Sequence, residues 1–464
     1  MTRATGPDSY GCRTPKEPEQ NWEPVVTLLD RPRTDTARTS PAPRDAAIDL
    51  VRAVCLVVVV ALHAFMAGIA VVDGEIAVTN VVIGQAWFAP VSWIVQIMPI
   101  FFIVGGFAGI TQWRRMRDRG ESAVSFVTGR LRRLAVPAIA AFAVIGVGLT
   151  VALMAGVSPD LVGELGFRMA QPMWFLGVYL GATALVPLLS RCHERAPRMT
   201  LGMLVLGVVA VDALRMGTGI AGLGFLNLAF VWLAMQQLGF WWADGRLAVM
   251  SPRRLVMGLS ASLIVLAGLF ASGAYSPDMY ENLNPPTICL VVLGAAQLFA
   301  LALAAPRLRQ VAARPHVAAA VDAIGSRSMT VYLWHMPALV LVAALLFASG
   351  VPFPDPLSPL WWATRPAWIL SVCVATVLLV LVAQRFERRR VTTTGQEPAR
   401  GRVVVAVVLG MAGVVAVLIG GFTPLTAVLA VVGLVVSLRL ASGRSASVPS
   451  AGRYPAPGMT SPAS

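Results

Sequence analysis

Apolar residues run along this chain in blocks of about 18–25, separated by short polar stretches. Such blocks are long enough to cross a hydrocarbon core of ~30 Å at a rise of ~1.5 Å per residue, and longer than a soluble core requires. The pattern predicts twelve transmembrane helices, over 47–72, 89–110, 134–155, 173–190, 199–216, 222–242, 255–274, 286–305, 328–350, 366–384, 402–420 and 423–440. The expected fold class is an all-α integral membrane protein, a polytopic bundle of about 12 transmembrane helices. Residues 1–45 are polar, rich in Pro, Thr and Arg, and without a helical or strand period, so they read as a disordered tail. The first apolar block, from Ala46, is too long for the core of a cleaved signal and reads as a retained span. A second disordered tail is expected over 441–464, which is rich in Ser, Pro and Ala. No soluble catalytic domain is expected beside the spans, so any chemistry belongs in or between them.

Charge then sets the orientation. The net charge is +14, which raises nucleic acid as a partner, but the bases sit in short loops between apolar blocks, where they act as topology signals. The N-terminal tail is basic, and the following loop, with Asp73 and Glu75, has no base. Arginines return at 114–133, 191–198, 246–254 and 307–327, and again in a basic loop over 385–401. The alternate loops hold only Arg168, Arg215 and Arg365. With bases kept inside, both termini are cytoplasmic, and Trp87, Trp93, Trp361 and Trp362 fall where an outer aromatic belt belongs. The one lysine, Lys16, lies in the tail, which excludes P-loop and Schiff-base chemistry. The five cysteines show no C-x-x-C spacing, and Cys192-His193-Glu194 are too close together to converge on one ion, so no metal site is expected.

An ionisable group inside a span is a functional candidate. The first span holds Asp49, Arg52 and His63. Asp49 and Arg52, three apart, can pair on one face. Arg52 and His63 are eleven apart, about 1100° around the helix, so they share a face and lie ~16 Å apart along the axis. A cation at the entrance and a deeper imidazole suit an anionic substrate that threads a reactive end toward a general base. A snorkelling arginine and a histidine bonded to a neighbouring helix would explain the same pattern. Arg130 and Arg133 share a face at the start of the third span, as phosphate-binding forks or as ordinary inner-rim charge. His335, in Tyr332-Leu333-Trp334-His335, is a second buried imidazole. Gly105 and Gly109 have the spacing of close helix packing, and Pro99 lies in the same span. Glu281-Asn282-Leu283-Asn284-Pro285-Pro286, at an outer mouth, would read a polar acceptor or start a helix.

Together these segments resemble the acyltransferase 3 family of membrane acyltransferases. The carrying residues are Arg44-Asp45 through Ile48-Asp49-Leu50-Val51-Arg52 to Leu62-His63, Met98 to Phe107, Phe126 to Arg133 with Pro137, Met173-Trp174-Phe175-Leu176, and Tyr332-Leu333-Trp334-His335. They occur in the family's order over about 45–384. The resemblance implies a ten-helix core, 46–384, that moves an acyl group, usually acetyl, from cytoplasmic acyl-CoA to a hydroxyl, often on a cell-envelope carbohydrate or lipid-linked acceptor. It implies His63 as catalytic base and Arg52, Arg130 and Arg133 as donor-binding residues; His335, Tyr332, Trp174, Glu281 and Asn284 stand as secondary candidates. Acyl-CoA enters as a co-substrate, with no permanently bound cofactor, and the setting is a multi-pass protein of the plasma membrane. Two spans over 402–440 exceed the family's ten; they are expected to be peripheral, and truncation after Arg390 to leave activity largely intact. The hydrolase-like extracytoplasmic domain of some members is absent. The competing class is a transporter or flippase, which predicts repeat symmetry and broken helices.

Overall fold

The computed structural model describes residues 45–72, 75–387 and 397–442. The two tails, and Arg388, Arg389 and Arg390 of the basic loop, lie outside them. In chain order the helices are α1 (Ala46–Met66), α2 (Phe88–Val95), α3 (Met98–Asp118), α4 (Ala123–Met154), α5 (Pro159–Ala170), α6 (Trp174–Ala184), α7 (Val186–Arg195) and α8 (Pro197–Thr218). They continue with α9 (Asn227–Ala243), α10 (Pro252–Ala271), α11 (Ile288–Ala312), α12 (Pro315–Gly325), α13 (Ser328–Ala348), α14 (Pro359–Glu387), α15 (Arg400–Gly420) and α16 (Pro424–Ala441). Local chemistry marks the starts. Asp45 caps α1 by accepting from Ala47 N, and Ser122 and Ser251 cap α4 and α10. Thr423 and Thr426 form a reciprocal capping box on α16.

Among the described residues eleven helices are long and apolar enough to cross a membrane, or twelve if the bent pair Pro159–Ala184 and Val186–Arg195 is one span. That pair, bent by 54°, holds the expected fourth span. The expected second span is α2 and α3 together, broken at Gln96–Ile97 immediately before Met98-Pro99.

One expectation is corrected at the first span. It was read as 47–72, yet α1 ends at Met66, and Ala67–Val72 pairs antiparallel with Glu75–Asn80 as a two-stranded hairpin, β1 and β2. The run Ile69-Ala70-Val71-Val72, mostly β-branched, is as apolar as the helix before it, so hydropathy alone cannot end the helix there. Asp73-Gly74 between two such runs was the available hairpin signal.

Polar contacts gather the basic helix ends on one face of the bundle. Arg309 at the end of α11 binds Asp45 at the start of α1 (2.8 Å). Arg114 and Arg117 of α3 bind Asp244 and Glu194, after α9 and on α7 (2.9 Å each). Thr330 of α13 donates to Glu387 of α14 (2.7 Å). His193, buried in α7, bridges Gln237 (2.9 Å) and Asp244 (3.0 Å), so it belongs to this network. Burial alone would lift the Asp244 carboxyl, but hydrogen bonds from Arg114 and His193 hold it below the usual carboxylate range. On the opposite face Trp87, Trp361 and Trp362 pack with Phe65 into one aromatic cluster, while Trp93 packs on Phe270.

The close helix packing falls on α3 and α9. Gly106 meets the backbone of Gln236, and Gly239 meets the backbone of Ile103, so each helix offers a glycine where the other's main chain passes. The additional helices α15 and α16 are not loosely attached. Phe422, at their turn, donates its N–H to Gly166 O (3.1 Å) and packs its ring on Phe142 of α4. Ala427 of α16 lies against Gly146 of α4, and Arg132 of α4 reaches Ser442 (3.2 Å).

Candidate functional site

The site begins on α1. In this helix the eleven-residue register carries Arg52 near the arginine-rich face and His63 to the last turn. A cavity open to solvent on one side lies along that face of α1. Arg52, His63, Arg130, Arg133, Trp174 and Tyr332 all line it. Residues from α1, α4, α6 and α13, chosen from sequence alone, therefore meet in one space. Gln96 at the helix break, Tyr179, Tyr280 and Leu283 complete the wall.

The His63 ring is fixed by its own helix. Its Nδ1 lies 2.9 Å from Val59 O. A carbonyl oxygen only accepts, so Nδ1 carries the proton and the neutral ring keeps its lone pair on Nε2. Nε2 has no hydrogen bond among the described residues. His335 repeats the arrangement: its Nδ1 donates to Tyr332 O (2.5 Å), and its buried Nε2 is without a partner. The two rings are 5.0 Å apart. His335 does not line the cavity; it backs His63 from α13. Tyr332, which does, donates its hydroxyl to Pro172 O (2.7 Å) and is thereby committed to holding α13 on the segment before α6. Trp174 stacks on Trp232 at 5.3 Å.

The three arginines have different degrees of freedom. Arg52 makes a long contact to Asp49 (3.6 Å), the pairing their spacing allows. Arg130 donates to Gln112 (2.6 Å) and lies over the Phe126 ring at 5.2 Å. Arg133 has no hydrogen bond or ion pair among the described residues, so its fork is open to the cavity. Three guanidinium groups close enough to repel one another, with one weakly held carboxylate beside them, leave an excess of positive charge on this wall, the chemistry that suits an anion.

Glu281 and Asn284 are exposed and do not line the cavity; their neighbours Tyr280 and Leu283 do. Neither does the 281–286 segment cap α11. Asp212 of α8 does, accepting from Ile288 N (2.9 Å) and from Tyr275 and Asn227 as well. The residues just before it are held by Ser92 and Trp93 of α2 and Gln96 of the α2–α3 break, which bind Met279 and Pro277. Tyr280 is thus a wall residue that the sequence reading missed. Burial and the Asp278 carboxylate push its phenol up, so it stays a donor, and it has no hydrogen-bond partner among the described residues. No group of three or more His, Cys, Asp or Glu among the described residues is placed to hold a metal ion.

A bundle of apolar helices that brings three arginines and an imidazole to one cavity defines a multi-pass membrane protein with cations and a titratable ring in a shared space. A family model described as the acyltransferase domain, that of the acyltransferase 3 family, matches residues 45–385. The chain belongs to that family and is a membrane acyltransferase. No curated protein and no solved structure matches it.

Proposed function

We propose that the protein transfers an acyl group, acetyl in the simplest case, from cytoplasmic acyl-CoA to a hydroxyl of a cell-envelope carbohydrate or related acceptor, in the plasma membrane. The observation that carries this reading is the shared cavity of Arg52, Arg130, Arg133 and His63. The arginines hold the phosphates of the coenzyme, and the pantetheine arm extends ~16 Å along α1 to bring the thioester beside His63. His63 Nε2 takes the acceptor hydroxyl proton as the oxygen attacks the thioester carbon. The C–O bond forms and the C–S bond breaks. The leaving thiolate recovers the proton from the imidazolium, which returns the ring to its neutral state. No permanently bound cofactor enters this scheme. Tyr280 and Leu283, also in the cavity wall, would meet the acceptor.

The test is incubation of the purified protein with acetyl-CoA carrying a labelled acetyl group and a panel of glycans. Label is expected on a glycan with release of free coenzyme A. Intact acetyl-CoA under all conditions, in a well-folded preparation, would overturn the donor assignment. The orientation belongs to the same proposal: with both termini cytoplasmic, the arginine-rich face is the inner one. A reporter fused after Arg119 should read cytoplasmic and one near Pro356 external. The reverse pattern would put the arginines on the wrong side for a cytoplasmic donor.

A further inference from the structure

Arg365 is an anomaly. It was read as an outer-loop charge, but it lies inside α14, 8% exposed, and among the described residues no carboxylate pairs with it. A buried cation without a counter-ion is costly unless its surroundings compensate. Here the compensation comes from the end of α1. One Arg365 Nη1 donates to Ala64 O (3.4 Å) and Ala67 O (3.2 Å). The guanidinium carbon lies over the Trp361 ring at 3.7 Å and over Trp368 at 5.6 Å. Trp368 adds its indole N–H to the same Ala64 O at 2.8 Å.

The last carbonyls of a helix have no intrahelical donor and carry the negative end of its dipole, so a cation there is favoured twice over. The location matters because α1 stops at Met66, inside the protein, with His63 on its final turn. A final turn is where helices fray. Two carbonyls of this turn are taken up by other elements, Ala64 by α14 and Met66 by Val81 N (3.0 Å), and Arg365 also takes the carbonyl of Ala67, the first residue of β1. The His63 ring is tied to Val59 of its own helix, so Nε2 goes wherever the end of α1 goes. Ala64, the residue after His63, receives both donors from α14.

We propose that Arg365, supported by Trp368, is a positioning residue for His63: it clamps the terminal turn of α1 so that Nε2 stays at the acceptor side of the cavity. The clamp holds the base in reach of a proton without touching either substrate. A displacement of about 1 Å at a reacting group costs on the order of 10²-fold in rate. The inference rests on His63 being the base.

The experiment uses full-length protein in lipid nanodiscs carrying Arg365→Gln, Arg365→Lys or Trp368→Phe. Two quantities are read on the folded fraction. One is acetyl transfer or acetyl-CoA hydrolysis, resolved into kcat and KM for acetyl-CoA. The other is the rate at which diethyl pyrocarbonate modifies His63, followed by peptide mass spectrometry. Arg365→Gln is expected to lower kcat about 10- to 100-fold, leave KM for acetyl-CoA within about twofold, and change the His63 modification rate. Arg365→Lys, which keeps a cation that can reach Ala64 O, should recover much of both. A loss shared equally by kcat/KM and the folded fraction, or equal loss in the Lys and Gln variants, would reduce the clamp to a structural cap. If Arg365→Gln does not fold, Trp368→Phe, which removes one donor to the same carbonyl and no charge, carries the test: a several-fold fall in kcat at unchanged KM is expected, and no fall overturns the proposal. The modification rate is independent of transfer. A changed His63 reactivity with transfer that survives His63→Ala would keep the clamp and reject the base; an unchanged reactivity rejects the clamp itself.

Discussion

His63→Ala should abolish measurable acyl transfer while acyl-CoA still binds. The ring reaches the cavity with its proton committed to Val59 O, which leaves Nε2 as an acceptor with nothing else to accept from. A hydroxyl is a poor nucleophile until its proton is removed, and general-base assistance is worth about 10²–10⁴-fold. The substitution removes that help and opens a void in the wall, but it leaves Arg52, Arg130 and Arg133 in place, so donor affinity should change by no more than about threefold. His335 does not replace the lost base, because its ring backs His63 and its Nε2 is buried away from the cavity lining. His335→Ala should therefore slow transfer less, by loosening the ring packed 5.0 Å away. The measurement is a matched pair on folded variants: acyl-CoA binding by calorimetry, and transfer of a labelled acetyl group. Near-normal transfer by His63→Ala would remove this histidine from the mechanism and make His335 the candidate.

What could be read from the sequence follows from how local the information is. Arg52 and His63 were legible because both lie on one helix, where 100° per residue settles which side chains share a face. Arg130 and Arg133 were legible for the same reason. The end of α1 was not, because Gly68 to Val72 continues the apolar run and hydropathy does not distinguish a buried strand from a helix. In 276–287 the chain has no period, so Glu281 and Asn284 were as plausible as Tyr280 and Leu283; their placement is decided by Ser92, Trp93, Gln96 and Asp212. Arg365 and Ala64 are 301 residues apart in sequence. Counting arginines by loop put Arg365 outside, and only tertiary contact shows it to be a cap. The packing of α15 and α16 on α4 is equally non-local: their apolar sequences are suited to lipid on every side, and the glycine at 146 that admits Ala427 carries no mark of its partner.

Arg133→Lys should weaken donor binding more than it slows chemistry, and Arg133→Ala should weaken it further. Of the three cavity arginines, Arg130 already spends one nitrogen on Gln112 and Arg52 faces Asp49. Among the described residues Arg133 alone of the three has its whole fork available. A planar guanidinium meets a phosphate with two parallel hydrogen bonds, whereas an ammonium keeps the charge but not the fork. A hydrogen bond to a charged group contributes roughly 1.5–3 kcal/mol net, so Arg133→Ala should raise the apparent KM for acyl-CoA by about 10- to 150-fold. The lysine variant should fall between, near tenfold. If the phosphates are bound alike before and during the reaction, as the proposed scheme has it, kcat at saturating donor should stay within about threefold. The rim is open to solvent, so added salt should raise KM for the native protein and matter less once Arg133 is gone. Steady-state kinetics at two ionic strengths separate these outcomes. An unchanged KM in Arg133→Ala would return this arginine to the ordinary basic rim of a membrane span, and a large fall in kcat with KM unchanged would place it at the reacting thioester rather than at the phosphates.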